Sequence, residues 1–486
     1  MSRSLEVIFV SSEVAGFAKT GGLADVSASL PKALNSLGHK VRVFLPLYRE
    51  VKKKTFPLKL CRKDLSLIIN GKTLSFSLYK YRKQGVDFYF ISQDKFFDRD
   101  YLYSTPKKDY PDNHLRFAFF SGAVLNSLIN LKLKPDIIHC NEWQTALIPF
   151  HLKNTDIYKD YFRSTKTVFT IHNLVYQGLF PKTVIKEIGI DKSFFKPESL
   201  EFYNKFSFIK AGIIYSQAIT TVSRGYAKAI LTVEFGCGLD GLLRSRKKDL
   251  FGILNGADYS QWNPKTDKFI KSNYDKNSLD KKRLCKKDLL LSMGLPADFD
   301  KPVLASISRL VYDKGIDIII ATSAEIVKMN CFMIFLAMGR ESDNRKLRAL
   351  ARKYPKNIAV KIGFDNGLAH KIEAGADIFL MPSRNEPCGL NQLYSLKYGT
   401  IPLVAAVGGL DDTIIDYRKS PKSGNGFKFK PVCGSEFLKS LKAAIGLYHD
   451  DKSRLKLIKK AMACDFSWAK SAKEYIRTYK RVIDRR

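Results

Sequence analysis

The sequence predicts an α/β protein made of two doubly wound parallel-sheet domains. Three observations predict it. Its 486 residues exceed one ordinary domain and fit two of roughly 200–250 residues each. Short runs rich in Val, Ile and Phe alternate with segments whose apolar residues recur at three and four positions, as strands and crossover helices do around a parallel sheet. Polar residues collect directly after several of those runs, at the strand C-ends where open α/β sheets bind ligands.

In chain order, Glu6–Val10 is a first strand. Its apolar run is short and contains Glu6, so it is not read as a signal peptide. The expected compartment is the cytoplasm, or a plastid after loss of a transit peptide. Ser11 to Thr20 is a loop ended by Gly21 and Gly22. Leu23, Val26, Leu30, Ala33, Leu34 and Leu37 then mark a helix with one buried face, which Pro31 should kink or loosen. Lys40–Leu45 is the next strand. Such a strand–glycine loop–helix–strand unit brings backbone amides toward a phosphate. Residues 57–92 hold two alternating stretches, Leu74–Tyr79 and Phe88–Ile91, read as a hairpin. Asp98-Arg-Asp100 has metal-motif spacing but follows Phe96-Phe97 in a polar loop, so it is read as a solvated loop. Asn113 to Asn130 is a helix. Asp136–Cys140, Thr167–Ile171 and Ala218–Val222 are strands followed by Asn141-Glu-Trp143, His172-Asn173 and Ser223-Arg224, polar groups of one cleft wall.

The glycine-rich stretches Phe235–Gly241 and Leu254-Asn-Gly256 break the periodicity and place a domain boundary, giving domains 1–250 and 251–467. After a lysine-rich helical stretch near 278–292, a second series of strands begins: Val303–Ile307, Phe332–Ala337, Ile358–Ile362, Asp377–Met381 and Ile401–Val404. Pro382, Pro387 and Gly389 turn the chain after Met381, and Leu390, Leu393 and Leu396 start a helix. Glu386 therefore sits at a strand C-end beside a helix N-terminus, where amides favour anionic or polyhydroxyl ligands. By position alone it could equally be an acid that complements the helix dipole. Residues 468–486 carry a basic amphipathic helix, Trp468–Ile483, suited to packing or to a membrane surface.

Composition narrows the function classes. An apolar content of 45% supports large cores, and no run reaches the roughly 18–20 apolar residues of a membrane span. The eight cysteines show neither Cys-x-x-Cys spacing nor a His/Cys cluster, so they read as reduced, packed thiols and not as zinc ligands. The net charge of +35 comes from short lysine-rich runs such as Lys52-Lys53-Lys54 and Lys281-Lys-Arg283 with Lys286-Lys287. It is read as solvated surface: no nucleic-acid-binding signature accompanies it, and neither a nucleic-acid nor a membrane partner is expected.

Seven segments occur in one order: Lys19-Thr-Gly-Gly-Leu-Ala-Asp-Val26, Thr170-Ile-His-Asn-Leu-Val-Tyr-Gln-Gly178, Glu234-Phe-Gly-Cys-Gly-Leu-Asp-Gly241, Leu254-Asn-Gly256, Ser308-Arg-Leu-Val-Tyr-Asp-Lys-Gly315, Ala369-His-Lys-Ile-Glu-Ala-Gly-Ala-Asp377 and Ser383-Arg-Asn-Glu-Pro-Cys-Gly-Leu-Asn-Gln392. Together they resemble the bacterial and plant glycogen/starch synthases, family 5 retaining glucosyltransferases of the GT-B fold. The resemblance runs from about residue 5 to about residue 480. It implies two Rossmann-like domains facing across a cleft. The N-terminal one would take the glucan acceptor and the C-terminal one the nucleotide sugar, with the last helix crossing back to the N-terminal domain. It also implies a donor that bridges both domains, and hence closure of the cleft.

The resemblance assigns roles to residues of this sequence. Glu386, His172, Arg309, Lys314 and Asp25 are the implied catalytic set. Arg309 and Lys314 would neutralise the departing diphosphate, with Lys19 and the amides of Gly21 and Gly22 approaching it as well. Asn255, Phe364, Cys388, Gly389, Leu390 and Asn391 complete the donor side, Phe364 as a ring stacked on the base. Tyr110, Glu142 and Asn173 lie on the acceptor side. The implied substrates are ADP-glucose and an α-1,4-glucan (glycogen or a maltooligosaccharide), with no metal and no other cofactor. UDP-glucose, another GT-B acceptor, or a weakly active glucan-binding paralogue are the alternatives. Front-face and double-displacement routes to retention both stay open. The chain departs from the family's usual residues at Asn141, Glu142, Gln144, Asp313, Asn391, Ala405 and the Gly339-Arg-Glu-Ser342 turn. Expected consequences are a shifted acceptor geometry at Glu142 and a weaker donor grip at Asp313 and Asn391.

Overall fold

The computed structural model describes residues 3–485, and the chain forms two compact units. The first runs to Val222, resumes over Ala227–Gly256 and takes in the helix from Trp468; the second comprises Ser223–Tyr226 and Ala257–Ser467. The boundary thus falls at Gly256/Ala257 and not at the expected 250/251. The reason is a short strand, β12 (Leu250–Gly252), that forms the edge of the first unit's sheet. Ser223–Tyr226 goes with the second unit because the Ser223 hydroxyl donates to the Pro387 carbonyl at 2.6 Å and the Gly225 N–H to Asp412 at 2.6 Å.

The first unit's strands are β1 (Glu6–Val10), β2 (Lys40–Pro46), β3 (Lys59–Ile69), β4 (Lys72–Lys83), β5 (Val86–Ser92), β6 (Ile137–Asn141), β7 (Lys166–Ile171), β8 (Leu179–Pro181), β9 (Glu201–Phe202), β10 (Lys205–Ser207), β11 (Ala218–Thr221) and β12. Nine of them form one sheet in the order β12-β11-β7-β6-β1-β2-β5-β4-β3, parallel from β12 through β5. β8, β10 and β9 make a small separate antiparallel sheet. Strands buried on both faces read as continuous apolar runs, which is why β1, β6, β7 and β11 stood out in the sequence.

The expected hairpin exists as the β4–β5 pair, and β3 extends it to an antiparallel edge. β3 escaped notice because its register shifts twice, between Leu60, Arg62 and Leu65, with Asp64 at positive φ. A bulge of this kind destroys period-two alternation. Asn70-Gly71, both at positive φ, turns β3 into β4, a hairpin signal that was present in the sequence. The Gly22–Ser36 helix runs unbroken through a buried Pro31. Asp98 and Asp100 are engaged by Arg49 at 2.5 and 2.8 Å, and Asp98 also by Lys52 at 2.9 Å, as befits an ion-pair loop.

In the second unit, β13 (Val303–Leu310), β14 (Phe332–Gly339), β15 (Ile358–Ile362), β16 (Ile378–Met381), β17 (Ile401–Ala405) and β18 (Phe427–Phe429) form a wholly parallel sheet in the order β15-β14-β13-β16-β17-β18. β18, only three residues long, gave no periodic signal. The lysine-rich helix Lys282–Ser292 does not present a purely solvated face. Lys282 is buried and donates to the Ala374 carbonyl and the Thr400 hydroxyl at 2.8 and 2.9 Å. Lys286 is buried against Asp377 at 2.8 Å and the Tyr448 hydroxyl at 2.7 Å. Each ammonium thus replaces water with acceptors, the condition for burying charge.

Among its parallel strands, each sheet reverses its strand order at one place. β1 lies between β2 and β6, and β13 between β14 and β16. Ligand crevices of open α/β sheets open at such points. All eight cysteines are free thiols, with Cys140, Cys285, Cys331 and Cys388 buried. Among the described residues no helix is long and apolar enough to cross a membrane.

The C-terminal helix, Trp468–Asp484, buries Tyr475, Tyr479 and Val482 within the first unit. This burial accounts for its amphipathic pattern. Buried His139 on β6 links it to the sheet: Nδ1 lies 2.7 Å from the Tyr479 hydroxyl and Nε2 2.6 Å from the Thr170 hydroxyl. Gly256 fits there because a Cβ would stand 2.5 Å from Trp468 backbone atoms. Tyr479→Ala should destabilise the protein by about 3–5 kcal/mol through lost packing, and Tyr479→Phe by only about 1 kcal/mol through one lost hydrogen bond. Thermal melts of the two variants should rank in that order, and equal shifts would contradict it.

Candidate active site

The crevice between β13 and β16 is built from backbone fit. The turn after β13, Tyr312–Lys314, ends in Gly315 at φ +65°, where a Cβ would lie 1.9 Å from the Pro382 carbonyl oxygen after β16. Only glycine allows this approach. Arg384 then ties the two loops together. Its N–H donates to the Asp313 carbonyl at 2.7 Å, and its guanidinium forks onto Asp317 at 2.7 and 2.6 Å and covers the Tyr312 ring at 4.1 Å. Asp313 thereby lends its carbonyl to loop closure.

Glu386 is buried in this crevice. Its Oε2 lies 2.6 Å from Lys314 Nζ and 3.3 Å from the Ser383 hydroxyl. Its carbonyl accepts the Gly409 N–H at 3.1 Å, and Cβ atoms at Gly408 and Gly409 would fall 2.2 Å from the carbonyls of Glu386 and Cys388. Two adjacent glycines thus back the turn. The helix Asn391–Tyr398 starts at Leu390 with no side-chain cap, which leaves its first amides available to a ligand. Gly389, at φ +73°, shapes that start, and Gln392 holds the carbonyls of buried Cys388 and of Gly389 at 3.0 and 3.1 Å. Arg309 is exposed near the end of β13, with no ion pair among the described residues. Phe364 is 81% exposed in the loop after β15. The Asn391 side-chain N–H donates to the Ile307 carbonyl at 3.0 Å, tying the helix to β13.

In the first unit, the loop after β1 and the residues after β6 and β7 meet at the other reversal. Lys19 Nζ is held by both oxygens of Asp25, at 2.7 and 2.9 Å. The Gly21 N–H donates to buried Glu13 at 3.1 Å. Of the two glycine amides assigned to a phosphate, that leaves Gly22, the first residue of its helix. Glu142, at φ +62° and ψ 171° in a region normally kept for glycine, turns its buried carboxylate onto the loop after β7. Its Oε1 accepts the N–H groups of His172 and Asn173 at 2.5 and 2.9 Å. The longer arm of Glu therefore braces the His172-Asn173 backbone. Burial pushes the Glu142 pKa up to about 8, against those two amide bonds.

His172 Nε2 lies 3.0 Å from Asn141 Oδ1, while Asn141 Nδ2 donates to the Val10 carbonyl at 3.0 Å. The amide orientation makes Nε2 the donor and Nδ1 an acceptor. Burial lowers the His172 pKa to about 3, so the ring is neutral near pH 7. The Asn173 side chain caps its own turn, accepting the Val175 N–H at 3.1 Å. The Tyr110 ring is flanked by Arg99 at 4.7 Å and Arg116 at 5.1 Å. Asn255 is buried, and its Oδ1 has no hydrogen-bond partner among the described residues.

Sequence reasoning missed Glu13, Ser383 and the bracing role of Arg384. Glu13 carried a signal, being the one acid in the stretch Ser11–Gly22.

Residues 6–245 match the starch synthase catalytic domain family, and residues 294–463 match the glycosyl transferases group 1 family. The chain is 44% identical over 480 residues to a glycogen synthase of Geotalea daltonii, covering 99% of each chain. It is 44% identical over 491 residues to a glycogen synthase of Moorella thermoacetica, covering 100% of this chain and 98% of that one. Among solved structures it is similar to the catalytic domain of starch synthase IV from Arabidopsis thaliana bound to ADP and acarbose. That likeness has a TM-score of 0.93 and 31% identity, covering 99% of this chain and 100% of the other. A sucrose-phosphate synthase from Thermosynechococcus elongatus shares the fold at a TM-score of 0.60 and 16% identity, covering 99% of each chain.

The raised Glu142 pKa has a stability consequence. Between the ordinary carboxylate value of 4.5 and about 8, the folded chain holds a proton on Glu142 that the unfolded chain has lost. Stability from this group is present below that window and is lost as pH rises through it. The melting temperature of the native protein relative to Glu142→Gln should fall as pH is raised from 4.5 to 8, and a constant difference would contradict the assignment.

Proposed function

Because the chain belongs to the bacterial and plant glycogen/starch synthase family of glucosyltransferases, we propose that it transfers glucose from ADP-glucose to the non-reducing end of an α-1,4-glucan, with retention of configuration. The GT-B fold of its relatives is present here as two α/β units with parallel sheets. The observation that carries the proposal is Glu386 beside Lys314 in the β13/β16 crevice, at a strand-order reversal and against an uncapped helix start.

The chemistry follows from charge. As the anomeric carbon gains oxocarbenium character, negative charge builds on the leaving diphosphate. Arg309 and Lys314 supply fixed cations to that charge, a role a divalent ion fills in other enzymes. We therefore propose transfer without a metal or other cofactor. Glu386 lies one ion-pair length from Lys314, so it can take sugar hydroxyls and face the developing positive charge while the lysine turns to phosphate. The Gly389 and Leu390 amides offer donors to the same sugar, and exposed Phe364 offers a ring face to the base. Neutral His172, with Nδ1 as acceptor, suits a sugar hydroxyl and not a phosphate.

Purified protein supplied with a glycogen primer and labelled ADP-glucose or UDP-glucose, in parallel, tests this reading. Incorporation from ADP-glucose is expected. Incorporation from UDP-glucose alone would reassign the donor, and none from either would remove the activity. Glu386→Ala and Lys314→Ala should each lower turnover by about two or more orders of magnitude in protein that still folds, with Lys314→Ala also lowering the melting temperature because it leaves buried Glu386 without its cation. Near-native rates in either variant would contradict the role assigned to that side chain.

A further inference from the structure

The loop that carries Lys19 is anchored to a buried acid with no part in the chemistry above. Glu13 Oε2 accepts the N–H groups of Thr20 and Gly21 at 2.6 and 3.1 Å. Its Oε1 accepts the Thr20 hydroxyl at 2.6 Å and the Tyr103 hydroxyl at 2.9 Å. Four donors thus converge on one side chain. A carboxylate accepts at every lone pair, whereas the amide of Gln would set its own N–H groups against two of those donors. The network continues in one direction: Tyr103 donates to Glu13, so the Ser12 hydroxyl, 2.7 Å from Tyr103, donates to Tyr103. Tyr103 in turn is fixed through its carbonyl, which accepts the Tyr110 N–H at 3.0 Å and the Asn113 side chain at 2.9 Å.

This arrangement decides where Lys19 points. Its side chain is long and 45% exposed, and its terminal partner is Asp25. Its direction is otherwise set by the backbone, and the next two residues are the ones clamped by Glu13. The clamp also consumes the Gly21 amide and leaves the Lys19 ammonium and the first amides of the Gly22–Ser36 helix to meet an anion at this loop.

We propose that Glu13 is a positioning residue for the donor, holding the Thr20-Gly21 backbone so that Lys19 and the helix start present one fixed cationic face to the diphosphate. Tyr103 is the second arm of the clamp. This rests on the reading of the Lys19 loop as a donor-phosphate element.

The test is steady-state kinetics of the full chain with ADP-glucose and glycogen for Glu13→Gln, Tyr103→Phe, Lys19→Ala and the two double variants with Lys19→Ala. Glu13→Gln should lower kcat/KM for the donor by about tenfold or more, with the KM for glycogen within about twofold of native. Tyr103→Phe, which keeps three of the four bonds to Glu13, should lower it by about threefold. In the Lys19→Ala background either change should cost no more than about twofold, because the effect passes through Lys19. Unaltered donor kinetics in Glu13→Gln, or equal losses with and without Lys19, would overturn the inference. If Glu13→Gln does not fold, the Tyr103→Phe cycle decides by the same criterion. Native donor kinetics in Lys19→Ala would instead overturn the reading of the loop on which the inference stands.

Discussion

Burying a carboxylate requires a cation or several donors close by, and this one constraint shapes both catalytic regions. In the second unit, Glu386 is buried and Lys314 answers it at 2.6 Å. For the two to meet, the loops after β13 and β16 must come within backbone contact. Gly315 makes that approach sterically feasible, Arg384 fastens it, and Gly408 with Gly409 support the far side. The helix start at Leu390 inherits its place from the same turn. In the first unit the solution differs. Glu13 is satisfied by backbone amides and hydroxyls, buried Glu142 by keeping its proton up to about pH 8 and by two backbone amides, and each fixes a loop by doing so.

The two solutions suit different tasks. An ion pair can be exchanged: Lys314 can turn from Glu386 to a phosphate, because each partner has an alternative of the right charge. A carboxylate held by main-chain N–H groups has no such freedom, and so it serves as scaffold. The second unit therefore carries its cations where they can be redeployed, while the first carries loops whose geometry is set before any ligand arrives. Neutral His172 belongs to the latter kind, with its backbone braced by Glu142 and its ring by Asn141.

Much of this was legible in the sequence. The parallel strands announced themselves because burial on both faces leaves continuous apolar runs, and the site loops follow those strands directly. What stayed hidden was whatever depends on pairing between distant segments. β3 was masked by its bulge. Lys282 and Lys286 looked solvated, since nothing local tells that carbonyls and Asp377 wait for them. The bond from Asn391 to the Ile307 carbonyl was hidden too, because its place in the motif says nothing of β13. The Gly21 amide looked free for the same reason: the acid that takes it lies eight residues earlier in a loop with no periodicity.

The C-terminal helix gives the chain an order of assembly. The first unit is discontinuous, and its last element, Trp468–Asp484, follows the entire second unit. During synthesis the first sheet must wait through more than two hundred residues (257 to 467) before Tyr475 and Tyr479 arrive to cover β6 and to reach His139. Until then an apolar face and a buried imidazole stand uncovered on the nascent chain. The second unit, continuous apart from Ser223–Tyr226, faces no such delay. Maturation of the half that carries Lys19 and His172 therefore waits on the synthesis of Trp468–Asp484, and a chain cut short before that helix leaves the apolar face exposed.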